Sequence, residues 1–110
     1  MFNENQKDVV PFEIEFIEDE HYINKVKYNV LKEMILPVVK LIESGINVNE
    51  AINKVAKARH LNHQMILKNC IRLQGFKTTD KLTESVKNGK YKKHLLDKYS
   101  YHKVFIESEI

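Results

Sequence analysis

A chain of 110 residues with 43% hydrophobic and 30% charged side chains has the size and make-up of one globular domain around a single core. It is too apolar for a disordered polymer, and it has no apolar run near the roughly 20 residues that span a bilayer. The net charge of +3 hides an asymmetry: the first twenty residues carry seven carboxylates against Lys7, whereas between Lys54 and Lys103 only Asp80, Glu84 and Asp97 oppose a dense set of Lys and Arg. A basic body of this kind suits a polyanionic partner.

The start, "MFNENQKDVV", lacks the charged-then-apolar layout of a signal peptide, and the single Cys70 has no partner for an internal disulfide. Both point to a cytoplasmic chain. In the acidic leader, residues 1–20, Val10, Phe12, Ile14 and Phe16 alternate with Pro11, Glu13 and Glu15, the period of a half-buried β-strand. Pro11 lacks an N–H, which restricts such a strand to a sheet edge or makes Pro11 its first residue. The C-terminal "YHKVFIESEI" has a similar, weaker strand pattern, so the two ends are candidates to pair with each other or with a second copy.

From residue 21 to 44 the period changes. Ile23, Val26, Val30, Met34, Val38, Leu41 and Ile42 recur at three and four, a helical stripe that Gly45 can end. Pro37 lies inside it and predicts a kink or break near Leu36. Asn47 with Glu50 three residues on resembles a capping box and starts a helix with Ala51, Ile52, Val55 and Ala56 inward. Asn62 can cap the next helix, which carries Ile66, Cys70 and Leu73 inward and ends at Gly75. The helical segment 48–74 is followed by C-terminal helices over 79–99. There Thr78 or Thr79 starts one with Leu82 and Val86 inside, Gly89 stops it, and Tyr91, Leu95 and Tyr99 recur at four.

The stretch "VAKARHLNHQMILKNCIRLQGF", from Val55 to Phe76, resembles a helix-turn-helix DNA-binding domain over roughly 55–75. Val55-Ala56 matches the small residue where the two helices cross, Leu61 the apolar residue of the turn, and Ile66 the buried residue of the second helix. His60 stands where that family has Gly, and His is among the residues that tolerate a positive φ. Asn69 takes a half-buried place where many members carry an apolar residue.

The resemblance implies a mainly α fold: a compact domain spanning 1–110 with a helix-turn-helix core and a short N-terminal strand. The second helix would then read double-stranded DNA, with a homodimer meeting two half-sites. Its free face carries Gln64, Lys68 and Arg72, flanked by His63 and Leu67, with Asn62 at its start. Gln pairs with adenine, Lys and Arg reach guanine or phosphate, and Leu67 suits a thymine methyl. Lys54 and Lys57 before it, with Lys77 and Lys81 after it, suit flanking phosphates.

The basic run "KNGKYKKH", residues 87–94, could hold a phosphate backbone or stack Tyr91 on an unpaired base. His60, His63 and Cys70 fall short of the four N/S ligands of a structural zinc site, and His94 and His102 lack a paired base or nucleophile. No cofactor, metal, membrane, small-molecule substrate or catalytic role is expected. The sequence fits a small transcription regulator or the targeting subunit of a DNA-acting system. The other reading is a helical hairpin in a protein-interaction module, an adaptor or inhibitor whose leader adds to another sheet's edge.

Overall fold

In a computed structural model, residues 20–110 are described. The leader strand expected over Val10–Phe16 lies outside these residues. The described chain is mainly helical and compact, with no strand among the described residues. Helix α1 spans Glu20–Val30 and runs through a π-helical turn, Leu31–Ile35, into α2, Leu36–Glu43. Helix α3 covers Val48–Arg59, and α4, His63–Leu67, continues into a second π turn, Lys68–Arg72. Then follow α5 (Thr79–Lys87), α6 (Lys90–Lys98), a 3₁₀ turn over Ser100–His102, and α7 (Lys103–Glu109).

The centre of the core is α2, where Leu36, Val38, Val39 and Ile42 are buried, together with Leu31, Met34 and Ile35 in the turn before it. Only Lys40 and Glu43 of this helix face water, so a wide apolar face needs neighbours, and α2 packs on α3 and α5. From α3 come Val48, Ala51, Ile52 and Val55; from α5, Leu82 and Val86; from α6, Tyr91 and Leu95. Each of the Val, Leu, Ile and Met side chains contributes about 1.5–3 kcal/mol by leaving water.

The break expected near Leu36 is a change of pitch. Proline at 37 can give no N–H to Glu33, and the Leu36 N–H reaches back five residues to the Leu31 carbonyl. The widened turn takes up the ring without ending the helix. The stripe itself is corrected at its start: Ile23 is 49% and Val26 41% exposed, and α1 has no fully buried residue.

The boundaries follow from side-chain and backbone caps. Oδ1 of Asn47 accepts from the Asn49 and Glu50 N–H groups, and Oγ1 of Thr78 accepts from the Lys81 N–H. At the C-terminal ends, Gly45 and Gly75 lie at positive φ, and the next residues, Ile46 and Phe76, donate back to Leu41 and Ile71. His60, at φ 55°, does the same job, and Leu61 donates to Ala56. Ile46, Leu61 and Phe76 all pack on the core. Three helices thus end in one motif, a left-handed residue followed by an apolar anchor.

The C-terminal strand is also corrected. Residues 100–110 form a 3₁₀ turn and α7, because the helical period separates what a strand would align: Ile106 is fully buried and Val104 is 82% exposed. This segment folds back on α1, where Phe105 and His102 pack on Tyr28 and the His102 ring donates from Nε2 to the Asn24 carbonyl at 2.8 Å.

Candidate nucleic-acid interface

The segment from α3 to α4 is fixed locally before any partner is considered. His60 turns the chain in the left-handed region, Leu61 anchors the turn in the core, and Asn62 opens α4. The Asn62 Oδ1 accepts from the N–H groups of Gln64 and Met65 at 2.8 and 3.2 Å. Ile66 and Cys70 then pin the inner face, both buried, and Ala56 is half-buried on α3.

The opposite face is free. Gln64, Lys68 and Arg72 are all exposed, and none of the three takes part in an ion pair among the described residues. His63 is half-buried. Leu67, expected beside that face, is half-buried against the core; the exposed apolar residue there is Met65, 45% exposed. Lys54, Lys57, Lys77 and Lys81 are exposed. Asn62 is exposed too, but its carbonyl oxygen is occupied as a cap.

Leu73 is a further correction. It is 51% exposed, and Gln74 takes the inward place. The Leu73 N–H donates to the Lys68 carbonyl, five residues back, so the π turn inserts one residue and moves the inward direction one position along the chain.

That turn leaves carbonyls without helical donors, and tertiary side chains supply them. The Cys70 carbonyl accepts from the Tyr91 hydroxyl at 2.8 Å, the Asn69 carbonyl from Gln74 Nε2 at 3.1 Å, and the Leu73 carbonyl from Lys98 Nζ at 2.7 Å. Gln74 Nε2 also lies 3.0 Å from the Tyr99 hydroxyl. Its Oε1 is 2.9 Å from His94 Nε2, so His94 carries its proton on that nitrogen. Tyr91 is therefore fully buried and is a cap of the second helix, not a platform for an unpaired base.

Burial sets the ionisation of this region. The Cys70 thiol is pushed up to about 12, and the Tyr91 hydroxyl well above its ordinary value, both by desolvation first. Desolvation also raises Tyr99, against the opposing hydrogen bond from Gln74. His94 is lowered by desolvation, then by the nearby Lys98 ammonium, with Asp97 opposing. Cys70 donates weakly to the Met34 carbonyl at 3.8 Å, which joins the two π turns. No group of three His, Cys, Asp or Glu among the described residues is placed to hold a metal ion, and no described helix is long and apolar enough to cross a membrane.

Beyond α4, the Gly75–Lys77 connection and one side of α5 border a depression of about 490 Å³ that includes Lys77 and Lys81. Lys90, from the basic run 87–94, joins them there, together with Phe76 and Ser85. For Phe76 the sequence signal is Gly75 followed by an aromatic residue, which reads equally well as a helix stop, and Ser85 has none.

No family model matches the chain, and no curated protein or solved structure gives a match either.

Proposed function

We propose that the chain binds double-stranded DNA, with the α4 segment entering the major groove, as a small regulator or the targeting subunit of a DNA-acting system. The observation that carries this is the division of that helix: Ile66 and Cys70 are buried on one side while Gln64, Lys68 and Arg72 are exposed on the other. Gln64 supplies paired hydrogen bonds for adenine, and Lys68 and Arg72 supply cations for guanine or phosphate. Met65 takes the role of apolar neighbour expected of Leu67. Lys54, Lys57, Lys77 and Lys81 carry phosphate contacts. A homodimer would meet two half-sites about 34 Å apart.

Selection from a randomised duplex pool, followed by binding curves on preferred and random duplexes, tests the reading. Gln64→Ala should cost about 1–3 kcal/mol on the preferred site and relax one base position. Lys77→Ala should weaken all duplexes alike and lower the salt slope by about one unit. Unchanged site preference in Gln64→Ala would remove the groove-reading role.

The second reading, a protein-interaction module, draws on a different observation. Tyr22, Ile23 and Val26 on α1, and Tyr101 and Val104 at the other end of the described chain, are all more than 40% exposed. A chain that binds no duplex at low salt would favour it.

A further inference from the structure

A depression lies beside α5, away from Gln64, Lys68 and Arg72. Its volume, about 490 Å³, falls in the range of about 300–1,000 Å³ usual for small-ligand sites. Three cations border it: Lys77 from the connection after the second helix, Lys81 from α5, and Lys90 from the start of α6. None of them is in a salt bridge among the described residues, and Glu84 is the one carboxylate on the lining.

The wall between these charges is not uniformly polar. Phe76 contributes its ring, held from behind by Tyr91 at 5.4 Å and by the edge-on ring of His94 at 6.2 Å. Ser85 also lines the site although only 7% of it is exposed, a hydroxyl in the interior of a helix face that would ordinarily carry an apolar residue. Lys90 is held by the Gly89 turn, where its N–H donates to Asn88 Oδ1 at 2.9 Å.

Cations grouped round an aromatic face, with a hydroxyl and one carboxylate beside them, match the parts of a nucleotide. We infer that this depression binds a nucleoside monophosphate unit, with the phosphate among Lys77, Lys81 and Lys90 and the base against Phe76. Ser85 donates to a phosphate or sugar oxygen, and Glu84 accepts from a sugar hydroxyl or a base amino group. The unit can come from a free nucleotide or from a nucleic-acid strand, because both present the same phosphate and base. This goes beyond groove reading by Gln64, Lys68 and Arg72, although it shares Lys77 and Lys81 with the flanking phosphate contacts of that reading.

The test is titration of the full chain, ¹⁵N-labelled, with 2′-deoxyadenosine 5′-monophosphate, followed by amide shifts and calorimetry. Deoxyadenosine, inorganic phosphate and a deoxyadenylate trimer serve as the comparison probes. The monophosphate should shift the amides of Gly75–Lys77 and Ser85–Lys90 and bind more tightly than deoxyadenosine or inorganic phosphate. Lys81→Gln should weaken it about tenfold, and Ser85→Ala should weaken it at an unchanged melting temperature. Phe76→Leu should abolish the advantage over inorganic phosphate.

A trimer that binds no more tightly than the monomer identifies a free nucleotide as the ligand, and a trimer at least about tenfold tighter identifies a strand. Absence of these shifts at millimolar monophosphate, or inorganic phosphate binding equally well, overturns the inference. Gln64→Ala is the separating control. It should leave monophosphate binding intact, so a failed pocket with a working duplex, or the reverse, tells the two proposals apart.

Discussion

His60, Asn62, Cys70 and His94 show how much single side chains decide here. His60 holds φ 55° with a Cβ present, a conformation that costs an L-residue about 1–2 kcal/mol relative to the right-handed region. His60→Gly should raise the melting temperature, and His60→Val should lower it, as a thermal denaturation series would show. Asn62→Ala removes a cap from two N–H groups and should cost about 1 kcal/mol in denaturant unfolding.

The buried Cys70, protonated up to about pH 12, should resist iodoacetamide in the folded chain and react only on opening, so its labelling rate reports unfolding. For His94 the folded pKa lies below the ordinary 6.5, so the unfolded chain binds the extra proton first. Its contribution is therefore fully present above 6.5 and is lost as the pH falls through 6.5 towards the depressed value. The melting temperature should drop on acidification over that window, with a shallower drop in His94→Gln.

Elements were legible where a local rule sets them. Asn47, Asn62 and Thr78 cap as their side chains dictate, and Gly45, Gly75 and Gly89 sit at helix ends in the left-handed region. The inward sets Ala51-Ile52-Val55 and Tyr91-Leu95-Tyr99 follow from the 3.6-residue period. The failures arose where a distant group overrides that period. Nothing near Leu73 announces that Gln74 turns inward, because the π turn is held by Tyr91 and Lys98 from α6. Residues 101–110 alternate enough for a strand, but Ile106 and Phe105 are wanted on one side by Tyr28 and the core. On the proposed interface, the exposure of Gln64, Lys68 and Arg72 was readable, while the inward lean of Leu67 was not. Replacement of the fully buried Ile66 by Ala should cost about 2–5 kcal/mol in denaturant unfolding. Gln64→Ala should leave stability nearly unchanged, so the two faces of one helix separate folding from binding.

Across the molecule, stability is unevenly distributed. Helix α1 buries no residue fully, whereas α2 is enclosed by α3 and α5. A helix supported only by half-buried contacts, Tyr28 on Phe105 and His102 and Val30 on the core, draws less from tertiary packing than one with a fully buried face. Amides of Lys25–Asn29 should therefore exchange with deuterium well before those of Val38–Ile42, which open only with the core. The exposed Ile23 and Val26 are also where a homodimer would gain most, and sedimentation of an Ile23→Lys, Val26→Lys variant would show whether mass in solution depends on them.

The carbonyls of Asn69, Cys70 and Leu73 bear on portability. A designer wishing to transplant the two-helix unit into another scaffold would cut near residues 48 and 76. That cut takes Gln74 along but leaves Tyr91 and Lys98 behind, and with them the donors for two carbonyls at the end of the second helix. The excised piece would fray from Lys68 onward and lose Arg72 from its register, whatever its own helix propensity. The smallest transferable cassette runs to about Tyr99, so a graft would carry α5 and α6 as obligatory freight.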